Sequence, residues 1–456
     1  MQFLPIVTLI AAAVIALRRS ASEAFLNVYL PSLFLLPMYY RWVVPALPDP
    51  TFQQAAILPI ALVFFFREPR RWRFTTADFF VCGLAICIGF SEFKNTGYKE
   101  AQNLMFDMAA DVVLPYILMK GLIEPNRLRV TFARRLVMLM FAVSVVSVYE
   151  FRMGVTPWKA MNPLFPGQGL EWYTTFRYGF ARVAGPYGHP ILAGLVLVTG
   201  FRIQRWLEWS GYWEPRFRNL PSLGLSKARI ITLGLIAGMA MTLCRGPWLG
   251  GLVGAAVTAI GRAKNRKRAL LIIAASIVVV GVPAGIAIYN YAKVGRAHAR
   301  TAEQETAAYR KELIDKYLDL AMERPVWGYG RNTWPKIHTA PSIDNYYLLL
   351  TLMHGLVAVA FLVAIMIVMV FRLIRFELRA PPVGPPGSSL GFTLAGIYIA
   401  IAITIGTVYL GLQTVPLFAI VTGWAEGYLT CAPAAATARE AVPARVVPFA
   451  FRRVVV

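Results

Sequence analysis

The stretch YYLLLTLMHGLVAVAFLVAIMIVMVF, residues 346–371, holds no charged side chain and is long enough to cross a bilayer. A transmembrane helix needs about 20 consecutive apolar residues, and in lipid each segment must satisfy its own backbone N–H and C=O groups. The run is too long and too continuously apolar for a strand of a membrane barrel. It therefore predicts a membrane-spanning α-helix.

Similar apolar runs recur along the chain, separated by short charged loops. The 456 residues are 57% hydrophobic and 15% charged, with a mean hydropathy of +0.56, and no soluble core could cover so much apolar surface. We expect an all-α polytopic membrane helical bundle of about 12–13 spans. The predicted spans lie near residues 3–17, 24–40, 52–66, 77–93, 102–122, 134–151, 186–201, 229–244, 247–261, 269–291, 346–371, 391–410 and 414–430.

The predicted organisation is one polytopic membrane domain, residues 1–431, which includes two long loops at 152–185 and 292–345. Residues 432–456 are expected to form a weakly ordered cytoplasmic tail, because the segment is rich in Ala, Pro and Arg. The Pro/Gly-rich stretch RAPPVGPPGSS, residues 379–389, is expected to be a linker. The four cysteines have no metal-ligand spacing, so we expect neither a disulfide framework nor a zinc site. No cofactor is expected.

Basic residues give the chain its net charge of +23, and they concentrate in alternate loops between the predicted spans. Two such loops contain Arg67, Arg70, Arg71 and Arg73, and Arg262, Lys264, Arg266, Lys267 and Arg268. By the positive-inside rule the basic loops are cytoplasmic, so loop 292–345 faces outward. This alternation accounts for the charge without nucleic acid, which we do not expect as a partner; contact with anionic lipid agrees with the same orientation.

The outward loop 292–345 is expected to contain an amphipathic helix. Thr301 and Gln304 form a capping-box pattern, and the apolar residues that follow share one face of a helix that ends before Pro325. That apolar face comprises Tyr309, Leu313, Tyr317 and Leu320. The helix is expected to lie on the tops of the spans or at the lipid interface.

After this helix comes RPVWGYGRNTWPKIHTAPSIDNYYLLLTLMHGL, residues 324–356, which is rich in Gly, aromatic and amide side chains. Aromatic faces pack on sugars and planar amides bond hydroxyls, so Trp327, Tyr329 and Asn345 are candidate glycan contacts. The alternative is an interfacial aromatic belt that only anchors the protein. His189, before Pro190, either binds substrate or marks the start of a helix.

Taken in order, these motifs resemble the O-antigen ligase and O-antigen polymerase superfamily of bacterial envelope glycosyltransferases. The resemblance covers roughly residues 180 to 410. The matching motifs are Arg182-Val183-Ala184-Gly185-Pro186-Tyr187-Gly188-His189-Pro190, Cys244-Arg245-Gly246-Pro247-Trp248-Leu249-Gly250, Arg310, Pro325-Val326-Trp327-Gly328-Tyr329-Gly330, Asp344-Asn345-Tyr346-Tyr347-Leu348 and Gly355-Leu356.

The resemblance implies glycan transfer from an undecaprenyl-diphosphate-linked donor to an acceptor hydroxyl at the periplasmic face of the bacterial inner membrane. It implies no metal and no nucleotide sugar. The expected partners are the lipid-linked glycan, membrane lipid, an acceptor glycan or glycolipid, and other polysaccharide assembly proteins. The reaction is expected to polymerise surface polysaccharide or O-antigen repeat units.

Fixed cations would stabilise the charge that grows on the leaving diphosphate, and guanidinium groups match phosphate oxygens well. Arg245, Arg310 and Arg182 are therefore the expected diphosphate-binding residues. The alternative for Arg245 is a snorkelling arginine at a helix end. The alternative for Arg310 and Arg182 is a solvated surface side chain.

The reaction also needs a group that accepts the proton of the attacking hydroxyl. In the ligases that base is thought to be the His of a His-Asn pair, whereas this chain has Asp344 at the matching position. The change favours a polymerase, or another glycan transferase of the superfamily, over a ligase, and His338 is a second candidate base. Asp344 could instead cap the following helix together with Asn345.

Two acids inside a predicted span, Asp107 and Asp111, are four residues apart and thus share one helix face. They point to a cavity, a partner or a proton path, or form a buried pair bound to a polar or basic neighbour. Beyond a polymerase, three alternatives stay open: a ligase that joins glycan to lipid A core, a transporter or flippase of lipid-linked oligosaccharide, and a structural subunit of an envelope assembly.

Overall fold

The computed structural model describes residues 3–43, 48–68, 72–168, 174–216, 224–338, 342–379 and 389–440, except for the side chains of residues 302 and 432–440. Residues 380–388 of the predicted linker and residues 441–456 of the predicted tail lie outside the described residues. The first part of that tail continues the last helix as far as Glu440. The predicted domain boundaries stay predictions.

Helices dominate the described chain. In order they are α1 (Pro5–Arg18), α2 (Ala21–Ala24), α3 (Leu30–Leu35), α4 (Phe52–Arg67), α5 (Thr76–Thr96), α6 (Tyr98–Met108), α7 (Leu114–Leu122), α8 (Arg129–Met153), α9 (Pro190–Trp209), α10 (Lys227–Met241), α11 (Arg245–Ile260), α12 (Arg266–Ala292), α13 (Ala302–Glu323), α14 (Tyr346–Arg379), α15 (Leu390–Ile405) and α16 (Thr414–Glu440). Two π-helical turns, Phe25–Tyr29 and Ala109–Val113, join α2 to α3 and α6 to α7. The strands β1 (Phe176–Arg177) and β2 (Phe180–Ala181) form a short antiparallel hairpin.

Each predicted span lies on one or more of these helices. Within the described ranges, α5, α8, α12 and α14 are long and apolar enough to cross a membrane, and α1, α4 and α15 are apolar but shorter. The prediction of an all-α polytopic membrane protein is confirmed. The number of spans stays a prediction, because several apolar helices are shorter than a bilayer requires when taken alone.

Small residues bring α11 and α15 into close contact. A Cβ atom on Gly250 of α11 would lie 2.7 Å from the carbonyl oxygen of Ala400, and Gly254 meets Gly396 equally closely. Packing of this kind holds membrane helices together where hydrophobic burial gives no driving force between them. It fixes the position of Arg245, the first residue of α11.

The helix expected in loop 292–345 is present as α13. It begins as predicted, because the Thr301 hydroxyl accepts a hydrogen bond from the backbone N–H of Gln304 at 3.2 Å. Leu313 and Tyr317 of its apolar face are buried against Leu352 of α14. The apolar face therefore lies on the top of a span, which was one of the two expected locations.

Helix α14 is broken at Gly355, where φ is 81° and ψ is 176°. The backbone groups released by the break bond to the Pro-x-x-Gly-x-Gly stretch of the preceding loop. Tyr329 and Gly330 donate to the carbonyls of Leu352 and Met353, both at 2.8 Å, and Leu356 donates to Pro325 at 2.6 Å.

This loop can approach the helix only because of its glycines. Gly328 has a φ of +61°, and a Cβ atom there would lie 2.5 Å from the carbonyl oxygen of Leu352. A Cβ atom on Gly355 would collide with the backbone of Val326. The glycine motif therefore closes the hydrogen bonding of a broken membrane helix and joins the loop to it.

Candidate active site

The hairpin carries basic side chains to the link between α10 and α11. Its turn, Tyr178-Gly179, has positive φ at both residues, which is the geometry that suits the twist of a two-residue hairpin. Arg177 in β1 donates to the carbonyl of Leu243 at 2.7 Å. Arg182, just after β2, donates to the sulfur of Cys244 at 2.9 Å.

Arg245 is balanced by an acid of α13. Its guanidinium donates to the Glu303 carboxylate at 2.9 Å and to the Tyr178 hydroxyl at 2.6 Å, and 55% of its side chain is exposed. The hydrogen bond from Arg245 lowers the pKa of Glu303. Arg245 thus ties α11 to the outward loop, with its charge already compensated.

Asp344 is half-buried immediately before α14 and has an unusual environment. Burial raises the pKa of its carboxyl group, and Arg310, a hydrogen bond from Ser342 and Arg182 partly oppose that rise. Among the described residues its only side-chain hydrogen-bond partner is the Ser342 hydroxyl, at 3.3 Å. A carboxylate that is desolvated yet close to two cations is suited to accept a proton.

The helix cap belongs to Asn345. Its Oδ1 accepts from the backbone N–H of Leu348 at 3.2 Å, and its carbonyl accepts from Leu349. Asp344 itself makes no capping bond within the described chain. Its carboxylate therefore remains available to a ligand.

Arg310 and Arg182 approach Asp344 from α13 and from the end of the hairpin. In each, the Nε–H donor is buried and has no acceptor among the described residues. A buried donor without a partner costs free energy, and a bound anion would remove that cost. Both side chains could bond to phosphate oxygens once a side-chain movement exposes these donors.

His189 and Tyr409 extend the same neighbourhood. Nδ1 of His189 accepts from the backbone N–H of Ile191 at 3.1 Å, so the residue does cap α9. Its ring lies 6.2 Å from that of Tyr409, centroid to centroid. The charge of Asp344 acts on Tyr409, and the charge of Arg182 acts on His189. We call Arg182, His189, Arg310, Asp344 and Tyr409 the Asp344 cluster.

The other predicted site residues lie apart from this cluster. Trp327 packs edge-on against Phe90 of α5, and its carbonyl accepts from the Ser91 hydroxyl at 2.6 Å. The Tyr329 hydroxyl donates to Glu323 at 2.7 Å. His338 is exposed and makes no side-chain hydrogen bond within the described chain. Their proposed roles in glycan binding and catalysis stay predictions.

Asp107 and Asp111 belong to a second polar group beneath the loop. Asp107 accepts from Arg41 at 3.2 Å, from Arg331 at 3.2 Å and from Gln54 at 2.9 Å, and Gln54 also donates to Asp111 at 2.8 Å. We call these five residues the Asp107 cluster. Of the two interpretations, a buried pair bound to basic neighbours is the one observed.

Sequence reasoning missed Arg177, Arg331 and Tyr409. The pair of aromatic residues around Tyr178-Gly179 was a weak hairpin signal that would have placed Arg177 at a turn. Arg331 and Tyr409 had no local signal, because their importance comes from partners far away in sequence. Among the described residues there is no group of three or more His, Cys, Asp or Glu that could hold a metal ion.

Residues 230–362 match the family model described as O-Antigen ligase. No curated protein matches the chain. The matched segment includes Arg245, all of α13, the glycine motif and Asp344, and thus joins most of the motifs that carried the resemblance. Through this segment the chain is similar to the O-antigen ligase and polymerase superfamily, a group of glycosyltransferase-like membrane proteins.

Proposed function

We propose that the protein transfers a glycan from an undecaprenyl-diphosphate-linked donor to an acceptor hydroxyl at the periplasmic face of the bacterial inner membrane. The product is a longer surface polysaccharide or O-antigen chain. The observation that carries the proposal is the half-buried Asp344 carboxylate, which interacts electrostatically with Arg310 and Arg182, two arginines whose Nε–H donors have no acceptor in the described chain.

The proposed step needs only these side chains and the two substrates. The acceptor oxygen attacks the anomeric carbon of the donor sugar, and the bond from that carbon to the lipid diphosphate breaks. The diphosphate keeps the bonding electrons and leaves on its lipid, while the hydroxyl proton passes to Asp344. Arg182 and Arg310 stabilise the leaving group because its charge is larger in the transition state than in the donor.

Arg245 has a secondary place in this proposal. Glu303 already neutralises the charge of Arg245. Arg245 would therefore contact the diphosphate only after it releases the Glu303 carboxylate. Asn345, Trp327, Tyr329 and His189 remain candidate glycan contacts and His338 the second candidate base. The raised pKa of Asp344 favours Asp344 as the base.

The test is reconstitution of the purified chain in vesicles with the lipid-linked repeat units that accumulate in cells lacking the gene. Longer lipid-linked chains, separated by gel and identified by mass spectrometry, are the expected product. Transfer to added lipid A core would instead indicate a ligase. Asp319→Asn is a matched control for Asp344→Asn, because it makes the same chemical change on an exposed position of α13.

A transporter or flippase makes a different prediction in the same vesicles. A fluorescent lipid-linked oligosaccharide would cross the bilayer with no change in its length, and Asp344→Asn would have no effect on that movement. Movement without new glycosidic bonds would overturn the proposed transferase.

A further inference from the structure

A groove opens beside the end of α14 that is followed by the predicted linker. It has a volume of about 780 Å³ and lies between α12, α14 and α15. Its walls are almost wholly apolar and include Met366, Val370 and Tyr398. The basic loops lie at this end of the helices, far along α14 from Asp344.

Helix α12 leaves the bundle just beyond this groove. Only its first turns pack against the core, through Ala269, Leu270 and Ile273. No part of its apolar spanning window is buried, and exposed side chains from Ile277 to Ile288 cover all of its faces. In a bilayer this opening between α12 and α14 must be filled by something apolar.

Three cations surround the mouth of the groove: Lys267, Arg375 and Arg379. All three are exposed, and none has an acidic partner within the described chain. Neighbouring arginines differ, because Arg372 bonds to the buried Glu426 at 2.5 Å and Arg266 lies against the buried Glu377. The three cations that line the groove are thus exposed and unpaired among the described residues, as are Lys264 and Arg268 outside it.

We infer that this groove binds an anionic phospholipid. Its acyl chains lie along the apolar walls, and its phosphate lies between Lys267, Arg375 and Arg379. Each basic side chain near a membrane surface attracts anionic lipid by roughly the same modest amount, so three around one phosphate make a selective site.

Charge complementarity argues for this occupant over a second copy of the chain. The protein carries a net charge of +23, and the loops at this end are its most basic part, so two copies would repel each other here. A neutral lipid would fill the apolar volume but would leave three cations without a counter-charge.

The experiment uses the full-length chain in detergent micelles and titrates dioleoylphosphatidylglycerol or dioleoylphosphatidylcholine, with bound lipid counted by native mass spectrometry. We expect the anionic lipid to be retained preferentially. Lys267→Gln/Arg375→Gln/Arg379→Gln should reduce that preference by at least about tenfold. Arg18→Gln/Lys264→Gln/Arg268→Gln removes the same charge from the same side of the membrane and should keep it.

Ile367→Trp tests the contribution of the apolar groove independently of the three cations at its mouth. Ile367 is 63% exposed in the groove, so a larger side chain can be accommodated without repacking the core. We expect this variant to lose the lipid although all three cations remain. The inference is overturned if the charge variant and its control bind equally, if inorganic phosphate competes as well as lipid, or if Ile367→Trp converts a dimer to a monomer. None of these readouts depends on glycan transfer.

Discussion

The Asp344 and Asp107 clusters contain the same elements in different states. Each places an aspartate near two arginines that come from separate segments of the chain, and the Asp107 cluster adds a second acid, Asp111. Asp107 bonds directly to both of its arginines and to Gln54. Asp344 has one hydrogen bond from Ser342, and its two arginines keep a buried donor without an acceptor in the described residues.

The difference teaches how to separate a structural ion cluster from a reactive one. A buried charge is tolerated when all its hydrogen bonds are made. The Asp107 carboxylate accepts hydrogen bonds on both oxygens and joins Arg331 of the outward loop to the spans, whereas Oδ1 of the neighbouring Asp111 has no partner among the described residues. The Asp344 cluster has capacity left for a ligand. Composition alone could not distinguish the two.

The largest effect is expected from Asp344→Asn. Loss of the proton acceptor should reduce glycan transfer by about 10²- to 10⁴-fold, because that is the usual contribution of general base catalysis. Thermal stability should stay close to that of the parent, since within the described chain the carboxylate accepts one hydrogen bond, a long one from the Ser342 hydroxyl at 3.3 Å. Initial rates with the lipid-linked donor test this, with Asp319→Asn as control; unchanged rates would remove Asp344 from the reaction.

The next effect concerns the arginines. Arg182→Gln and Arg310→Gln should each lower the turnover rate by about 10²-fold, which is typical for loss of one preorganised group that stabilises developing charge. Arg245→Gln should have a smaller effect, because Glu303 already compensates Arg245. Rates at saturating donor test the order, and a larger loss for Arg245 than for the other two would contradict it.

The contrasting variant is Asp107→Asn. It removes the carboxylate that Arg41 and Arg331 both contact, and we expect it to lower the free energy of unfolding by about 1–3 kcal/mol. The transfer rate per folded molecule should change little. Heating followed by gel filtration measures the folded fraction, and a variant that is as stable as Asp319→Asn but inactive would make the Asp107 cluster catalytic.

The smallest effect is a shift in pH dependence. Transfer requires the ionised carboxylate, so the rate should rise with pH through the raised pKa of Asp344. Arg310 lowers that pKa; its removal therefore raises it, and the acid limb of Arg310→Gln should move to higher pH by up to about one unit. Arg245→Gln should leave the acid side of the pH–rate profile unchanged. An equal shift in both variants would mean that this part of the profile does not reflect the ionisation of Asp344.

The helices were predictable because the bilayer makes the same demand on every span. Long apolar runs predicted the apolar helices, and the capping pattern at Thr301 predicted the start of α13. Breaks within helices were not predicted. Gly355 lies inside an unbroken apolar run, and its conformation depends on a loop some thirty residues earlier that supplies the missing hydrogen bonds.

The site was predictable in part. The order of the motifs predicted Asp344, Arg310 and Arg182 as site residues. In the structure both arginines act electrostatically on Asp344. The sequence could not say which arginines already have an acidic partner, because such pairs join residues far apart in the chain. Glu303 and Arg245 are one example, and Asp107 and Arg331 are another.

The break in α14 also bears on the order in which the protein folds. Until the loop docks, the carbonyl of Leu352 lacks its partner and that of Met353 has only the Ser91 hydroxyl, at 3.5 Å. An unsatisfied backbone group inside a membrane costs several kcal/mol. The outer part of the helix should thus become stable in the bilayer only together with the loop. The amide hydrogens of Tyr329, Gly330 and Leu356 should then exchange with solvent at a common rate, as members of one cooperative unit.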